Sequence, residues 1–235
     1  MRTTSLPIRC LTGALCLAAA ALLVAVLQAG STLYGPTGAT EQGVVQCANL
    51  IYSRDKSSVC FSDEFLATIQ KETNIRTNRR FCPVKLGSSE VFQYPFAVMT
   101  GEGAFTLPPE QRANLRSYLT RGGFLVASAG CSSNEWDASF RAEIRAMFPE
   151  LSLKKVPMTH AVFHTVYDIS KLPTTHGHEG ALEGLEIDGR IVMVYSPEGL
   201  NDTSNAGSGC CCCGGDELRF AQRINVNLLT YALTH

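Results

Sequence analysis

The chain has 235 residues and a formal net charge of −1. This balance excludes a strong electrostatic case for nucleic acid or an anionic membrane surface as the main partner, because both attract an excess of Lys and Arg. About 200 residues remain once an N-terminal leader is set aside, which suits one domain with a single core.

The first 30 residues have the pattern of an export signal. Arg2 and Arg9 supply positive charge, and residues 11–27 are uncharged and rich in Ala, Leu and Val, as in a signal peptide. The apolar run also approaches the roughly 17 residues that a membrane span needs, so a single-pass anchor through residues 10–29 stays open. Both alternatives export the rest of the chain to the periplasm or the cell exterior, which are oxidising spaces. Residues 31–43, rich in Gly and Thr, predict a linker, and residues 44–235 a folded domain.

Short apolar runs and helical patterns alternate along this domain. The runs predict strands at residues 44–52, 85–86, 96–100, 124–127, 151–156 and 191–195. The helix signals between them are Ser62 and Thr106 as N-caps, apolar side chains at helical spacing (Trp136, Phe140, Ile144, Met147 and Phe148) and a closing helix over residues 216–233. Strands that alternate with helices indicate a mostly parallel sheet covered on both faces, which is a three-layer α/β domain.

Several segments of the sequence, in this order, resemble those of a known family. They include VKLGSSEVFQYPFAVMTGEGAFTL, LRSYLTRGGFLVAS, WDASFRAEIRAMFPE and LEGLEIDGRIVMVYSPEGL. Over about residues 45–233 the chain resembles a bacterial domain-of-unknown-function family that is placed by fold among the class I glutamine amidotransferase-like domains. The resemblance implies that flavodoxin-like, three-layer fold and no established activity. The chain departs from the family at Glu102, where a His is frequent, and at residues 128–131, where acidic residues are frequent.

Cys131 is the sharpest candidate for chemistry. It lies between a strand and a helix, where the helix dipole favours a thiolate. Class I amidotransferases have a nucleophilic Cys in this position, assisted by a His-Pro-Glu sequence, whereas this chain has Ser196, Pro197 and Glu198. The catalytic candidates are therefore Cys131, Ser196 and Glu198, but the missing imidazole removes the obvious proton acceptor. The alternatives for Cys131 are a small turn residue or a disulfide partner.

A polar edge of the sheet is the predicted ligand site. In parallel sheets, ligands bind outside the carboxyl ends of the strands. The residues predicted there are Glu102, Cys131, Asp137, Ser196 and Glu198. Taken individually, two of these residues have simpler explanations than ligand binding. Glu102 fits an ordinary solvated turn residue, and Asp137 fits an acidic residue in the first turn of a helix, where the helix dipole favours it.

The chain has ten cysteines, of which Cys10 and Cys16 fall in the leader. An unusual run follows the last strand: Cys210, Cys211, Cys212 and Cys213. Three interpretations compete: disulfides to Cys131 or another cysteine, a soft metal ion such as zinc or copper(I), and a redox pair. Because export exposes thiols to oxidation, we expect at least one disulfide between a cysteine of this run and a cysteine elsewhere in the chain. Cys131 is the best candidate for that partner. Cys47, Cys60 and Cys82 are predicted to be disulfides or buried thiols.

Two histidine pairs are weaker metal candidates. His160 and His164 would share a face of a helix, but the apolar residues around them favour ordinary packing. His176 and His178 could bind a metal ion between their imidazole rings, although a solvated loop is the simpler interpretation. The chain has no Walker-type loop and no dinucleotide fingerprint, so nucleotide binding has no support.

The favoured function is a non-catalytic module, exported and amidotransferase-like, that binds a small ligand or a partner protein. The alternatives are a thiol-dependent amidase or hydrolase that uses Cys131, and a metal or redox site in the cysteine run. Apart from that soft metal ion, the sequence indicates no cofactor.

Overall fold

The computed structural model describes residues 43–207, residue Cys210 and residues 215–235. The predicted leader and anchor, the linker up to residue 42, and Cys211, Cys212 and Cys213 lie outside the described residues. Within the described part of the chain, none of the helices is both long and apolar enough to cross a membrane.

The described residues form a mixed α/β domain. Its strands are β1 (Val44–Val45), β2 (Cys47–Ile51), β3 (Arg76–Thr77), β4 (Cys82–Lys85), β5 (Phe96–Gly101), β6 (Phe124–Ala129), β7 (Lys154–Lys155), β8 (Glu183–Ile187) and β9 (Arg190–Ser196). Its α-helices are α1 (Glu64–Glu72), α2 (Pro109–Thr120), α3 (Asn134–Met147) and α4 (Ala221–Thr234).

Seven strands make the main sheet, in the order β4-β2-β5-β6-β9-β8-β7. The first five are mutually parallel, as predicted, and β8 and β7 are antiparallel additions at one edge. The sequence prediction missed β8. Its hairpin with β9 turns through Asp188 and Gly189, both at positive φ, so this Asp-Gly pair was the available signal.

Both faces of the sheet are buried, because alternate side chains of each central strand enter different cores. Phe96 and Val98 of β5 pack in the core that contains the inward faces of α1 and α4. Ala97 and Met99 enter the core that contains α2 and α3. The continuous apolar runs in the sequence follow from this arrangement, and the three-layer prediction is confirmed.

Three predicted helix starts differ from the structure. Helix α1 begins at Glu64, with Asp63 rather than Ser62 at the N-cap. Helix α2 begins at Pro109, with Pro108 rather than Thr106 at the N-cap, which agrees with the fit of proline to the start of a helix. Helix α4 begins at Ala221 rather than at residue 216. The residues before it have other partners, since the Leu218 N–H donates to the Gly199 carbonyl and the Asp216 carboxylate accepts hydrogen bonds from another loop.

Candidate functional site

Cys131 lies in a strained turn at the carboxyl end of β6. Its backbone has φ 49° and ψ 31°, and Ser132 follows with φ 53°. Left-handed backbone costs roughly 1–3 kcal/mol for residues other than Gly and is concentrated at functional sites. Ser133 then caps α3, its Oγ accepting from the Trp136 N–H at 3.3 Å. The predicted order of strand, turn and helix around Cys131 is confirmed, with the strand extended to Ala129.

Two further segments pack directly on this turn. The Ser132 hydroxyl contacts the Glu198 carbonyl oxygen at 3.0 Å and the Asp216 carbonyl oxygen at 2.8 Å. A Cβ atom on Gly215 would lie 2.4 Å from the carbonyl carbon of Cys131, so only glycine fits that close approach. Residues that follow β6 and β9 therefore meet at one edge of the sheet, as the parallel topology predicts.

A cavity of about 220 Å³ opens at this meeting point. The residues that line it are Ala129, Cys131, Thr175, His176, Glu198, Gly199, Asn201, Thr203, Gly215, Asp216 and Glu217. Two predicted site residues, Cys131 and Glu198, are thus brought together. Ser196 is fully buried beneath them, and its Oγ lies 3.2 Å from both the Glu198 carboxylate and the Gly199 N–H. Ser196 therefore positions Glu198 rather than lining the cavity.

The cavity also contains an imidazole that the sequence did not assign to it. The Nδ1 atom of His176 lies 3.2 Å from Oδ1 of Asp216. The same carboxylate oxygen accepts from the His176 N–H and from the Thr175 hydroxyl, each at 2.9 Å. Burial alone would raise the pKa of Asp216, but these hydrogen bonds outweigh it and lower the pKa to about 2. Asp216 is therefore ionised at neutral pH and holds His176 in place.

Cys131 also lines a second cleft, of about 140 Å³. Glu102 lines it, as do Thr100, Gly101 and Asn201. The Glu102 carbonyl accepts from the Lys56 ammonium at 2.7 Å. Asn201 lines both openings, and its side-chain oxygen accepts from the buried Ser128 hydroxyl at 3.0 Å. The predicted residue Glu102 is thus beside Cys131 but in a different cleft from Glu198.

Asp137 lines neither cleft. Its carboxylate accepts from the Tyr195 hydroxyl at 2.6 Å and from the Arg141 guanidinium at 2.8 Å. Burial, together with this carboxylate, raises the pKa of Tyr195. Asp137 therefore joins the first turn of α3 to β9, and the structure does not bring it to the other predicted site residues.

The cysteine run contributes a disulfide, but not to the expected partner. Cys210 is bonded to Cys60, with the two Cα atoms 5.0 Å apart. The prediction of a bridge that leaves the run is confirmed, whereas Cys131 as its partner is wrong. Cys60 follows β2, another parallel strand that ends at this edge, so topology alone could not separate the two partners. A disulfide is typical of proteins that meet an oxidising compartment.

Two further cysteines of the domain, Cys47 and Cys82, are not in disulfides. Burial raises the pKa of the Cys47 thiol. In the described ranges there is no group of three or more His, Cys, Asp or Glu side chains that could hold a metal ion. The metal hypothesis for Cys211, Cys212 and Cys213 stays a prediction, because these residues lie outside the described part.

His160 and His164 flank a short 3-10 turn, Ala161–Phe163, rather than sharing a face of an α-helix. The His160 Nδ1 accepts from the Val162 N–H at 3.2 Å. The His164 ring lies 2.6 Å from the Met158 carbonyl and 2.5 Å from Asp168, and the carbonyl and the carboxylate both raise the pKa of His164. Both rings therefore have local structural partners.

The sheet and its polar carboxyl edge define a three-layer α/β domain with a candidate site around Cys131. The chain belongs to the domain of unknown function family DUF4159, whose model matches residues 47–233. That match covers 187 of the 235 residues and agrees with the resemblance drawn from the sequence segments. A comparison with curated proteins gave no match.

Proposed function

We propose that this protein is an exported, non-catalytic binding module whose 220 Å³ cavity takes a small, positively charged ligand. The observation that carries the proposal is the charge of the cavity wall. Three carboxylates line it, Glu198, Asp216 and Glu217, beside one imidazole and, among the described lining residues, no Lys or Arg. An ammonium or guanidinium group supplies the donors that carboxylates accept in charge-assisted hydrogen bonds.

The carboxylates are held before any ligand arrives, which supports binding because little ordering remains to be done. Oε2 of Glu217 accepts from the Thr203 N–H and hydroxyl at 3.2 and 2.8 Å. Oε2 of Glu198 lies 3.2 Å from the Ser196 hydroxyl. These bonds use one oxygen of each carboxylate. The cavity is smaller than the roughly 300–1,000 Å³ of typical ligand pockets, so the ligand is of amino-acid size.

Export and the amidotransferase-like fold are parts of the same proposal. The Cys60–Cys210 disulfide supports an oxidising location. The parallel strands β2, β5, β6 and β9, with Cys131 on the turn between β6 and α3, support the amidotransferase-like arrangement.

We expect L-arginine amide and 1,4-diaminobutane to bind, and N-acetylaspartate not to bind, in isothermal titration calorimetry. Glu198→Gln removes one charge while keeping the size and the contact with Ser196. It is expected to weaken amine binding about tenfold or more, since a hydrogen bond to a charged group contributes roughly 1.5–3 kcal/mol. The control is Glu110→Gln, an exposed carboxylate of α2 that does not line the cavity. If no amine binds, or if both variants weaken binding equally, the cavity is not the site.

A thiol-dependent hydrolase is the second candidate. The observation in its favour is that Cys131 and His176 line the same cavity, with Asp216 beside the His176 Nδ1. A thiol, an imidazole and an orienting carboxylate are the elements of nucleophilic acyl transfer. In this mechanism the imidazole takes the Cys131 proton, and the sulfur attacks the carbonyl carbon of an amide or ester. The C–N or C–O bond then breaks as the imidazolium gives the proton to the leaving amine or alcohol, and water hydrolyses the resulting thioester to restore the thiol. His176 would replace the imidazole that the Ser196 position lacks.

Screening the wild-type protein against simple amide and thioester substrates separates the two candidates. The binding proposal predicts no turnover in wild type and an unchanged fold in Cys131→Ser. Turnover that is lost in Cys131→Ser and in His176→Ala, but kept in His178→Ala, would replace the binding module with the enzyme. His178 is a suitable control because it lies in the same loop and does not line the cavity.

A further inference from the structure

We propose that a cavity of about 240 Å³ beside the start of helix α4, here called the basic cavity, binds a small carboxylate that carries an aromatic ring. Its lining residues come from two segments, residues 167–173 and residues 219–224. None of these lining residues lines the 220 Å³ cavity or the 140 Å³ cleft. The inference therefore does not depend on the proposed function, and ligands of opposite charge distinguish the two sites.

The wall of the basic cavity has an excess of positive charge. Lys171, Arg219 and Arg223 line it, and all three residues are exposed. None of the three has a carboxylate partner among the described residues. The one acidic residue among the described residues of the wall is Asp168, whose Oδ1 lies 2.5 Å from the His164 Nδ1. A carboxylate that enters the basic cavity therefore meets cations whose charge is not already neutralised.

Both arginines of the basic cavity are held in place and keep N–H groups for a ligand. The Arg219 Nε and Nη2 donate to the carbonyls of residues 174–175 at 3.0 and 3.3 Å, which leaves other guanidinium N–H groups unused. The Arg223 guanidinium carbon lies 5.2 and 5.8 Å from the ring centroids of Tyr167 and Phe220, and its N–H groups donate to no described residue. Arginine N–H groups in this state suit a planar carboxylate, which accepts them in charge-assisted hydrogen bonds.

The position of Phe220 is not explained by folding alone. Its side chain is 65% exposed, and its backbone lies in the left-handed region, with φ 61°, which is unfavourable for a bulky residue. Glycine would adopt this conformation without that cost. Together with Ile169 and Ile224, the Phe220 ring gives the basic cavity an apolar wall, on which the ring of a ligand can pack.

The ligand needs both a ring and a carboxylate. Ion pairs at an exposed surface contribute little to the free energy of binding on their own, whereas burial of a ring supplies a larger and less directional contribution. Three probes separate these contributions. N-acetyl-L-phenylalanine combines the ring and the charge, N-acetyl-L-phenylalaninamide keeps the ring without the charge, and N-acetylaspartate keeps the charge without the ring.

Isothermal titration calorimetry of the full chain tests the basic cavity with these probes. We expect saturable binding of N-acetyl-L-phenylalanine and no binding of N-acetylaspartate. The amide should bind at least about tenfold more weakly than the acid, because its charge-assisted hydrogen bonds are lost. High salt should weaken binding of the acid, since salt screens exposed charges. Equal affinities for N-acetylaspartate and N-acetyl-L-phenylalanine would show that the ring is not recognised and would overturn the proposal.

Two substitutions and a matched control locate the binding. Arg223→Gln should weaken binding of N-acetyl-L-phenylalanine about tenfold, and Phe220→Ala should weaken it about threefold or more. Both side chains are exposed, so the far-UV circular dichroism should stay unchanged. Arg145→Gln removes an exposed arginine of α3 that does not line the basic cavity, and it should leave the affinity unchanged. The proposal is overturned if the acid does not bind, if the amide binds equally well, or if Arg145→Gln weakens binding as much as Arg223→Gln.

Discussion

Replacing Trp136 with alanine is expected to lower the free energy of unfolding by about 4 kcal/mol. Its side chain is fully buried and stacks on Phe140, with ring centroids 4.9 Å apart. Its Nε1–H donates to the Tyr52 hydroxyl at 2.6 Å, and that hydroxyl donates to the Thr100 carbonyl at 2.9 Å. The substitution therefore leaves a large cavity and breaks a buried chain of hydrogen bonds that joins α3 to the end of β5.

This effect is measured by urea unfolding followed by far-UV circular dichroism, because Trp136 is the sole tryptophan of the chain and its fluorescence is lost. Trp136→Phe keeps a ring but removes the donor, so a smaller loss of about 1–2 kcal/mol is expected. Phe220→Ala is the matched control, since Phe220 is 65% exposed and should change stability by about 0.5 kcal/mol or less. An unfolding midpoint for Trp136→Ala that equals that of Phe220→Ala would contradict the buried role of Trp136.

Replacing Glu143 with alanine is the second substitution with a large expected effect. We expect it to lower the free energy of unfolding by about 3 kcal/mol. Oε1 of Glu143 accepts from the Leu107 N–H and from Nη2 of Arg112, each at 3.0 Å. The Glu143 side chain is 6% exposed and that of Arg112 is 35% exposed. Removing the carboxylate leaves a buried backbone donor and a half-buried cation without their acceptor, and the exposure of Arg112 reduces the penalty below that of a fully buried pair.

The control is Glu150→Ala, which removes the salt-bridge partner of Arg116. The side chains of Arg116 and Glu150 are 44% and 51% exposed. Exposed pairs contribute roughly 0–1 kcal/mol, so the unfolding midpoint should move little. Denaturant titration of both variants at equal ionic strength measures the difference. Equal losses in the two would mean that burial does not govern the strength of these pairs.

Much of the fold could be predicted from the sequence because the central strands are buried on both faces. Residues 96–100 and 124–127 are almost wholly apolar, a pattern that the covered parallel strands β5 and β6 require. Glu143 shows the limit of such patterns. It lies on α3 between the apolar positions Phe140 and Ile144, and its burial depends on Arg112, which comes from a different helix.

The candidate site could be predicted only where topology places residues at strand ends. Cys131 and Glu198 follow β6 and β9, so the parallel sheet brings them to one edge. His176 and Asp216 are 40 residues apart and meet through hydrogen bonds between two loops, for which the local sequence has no signal. The disulfide partner was missed for a related reason: several loops end at the same edge, and sequence spacing cannot rank them.

The two edge strands of the main sheet affect how readily the protein aggregates at high concentration. Strand β7, at one edge, is two residues long and consists of the exposed Lys154 and Lys155. Strand β4, at the other edge, contains Pro83, which has no N–H to donate. Short length, lysine and proline all discourage the addition of a strand from another molecule. Both edges of the sheet, as formed by the described residues, therefore resist the growth of fibrillar aggregates.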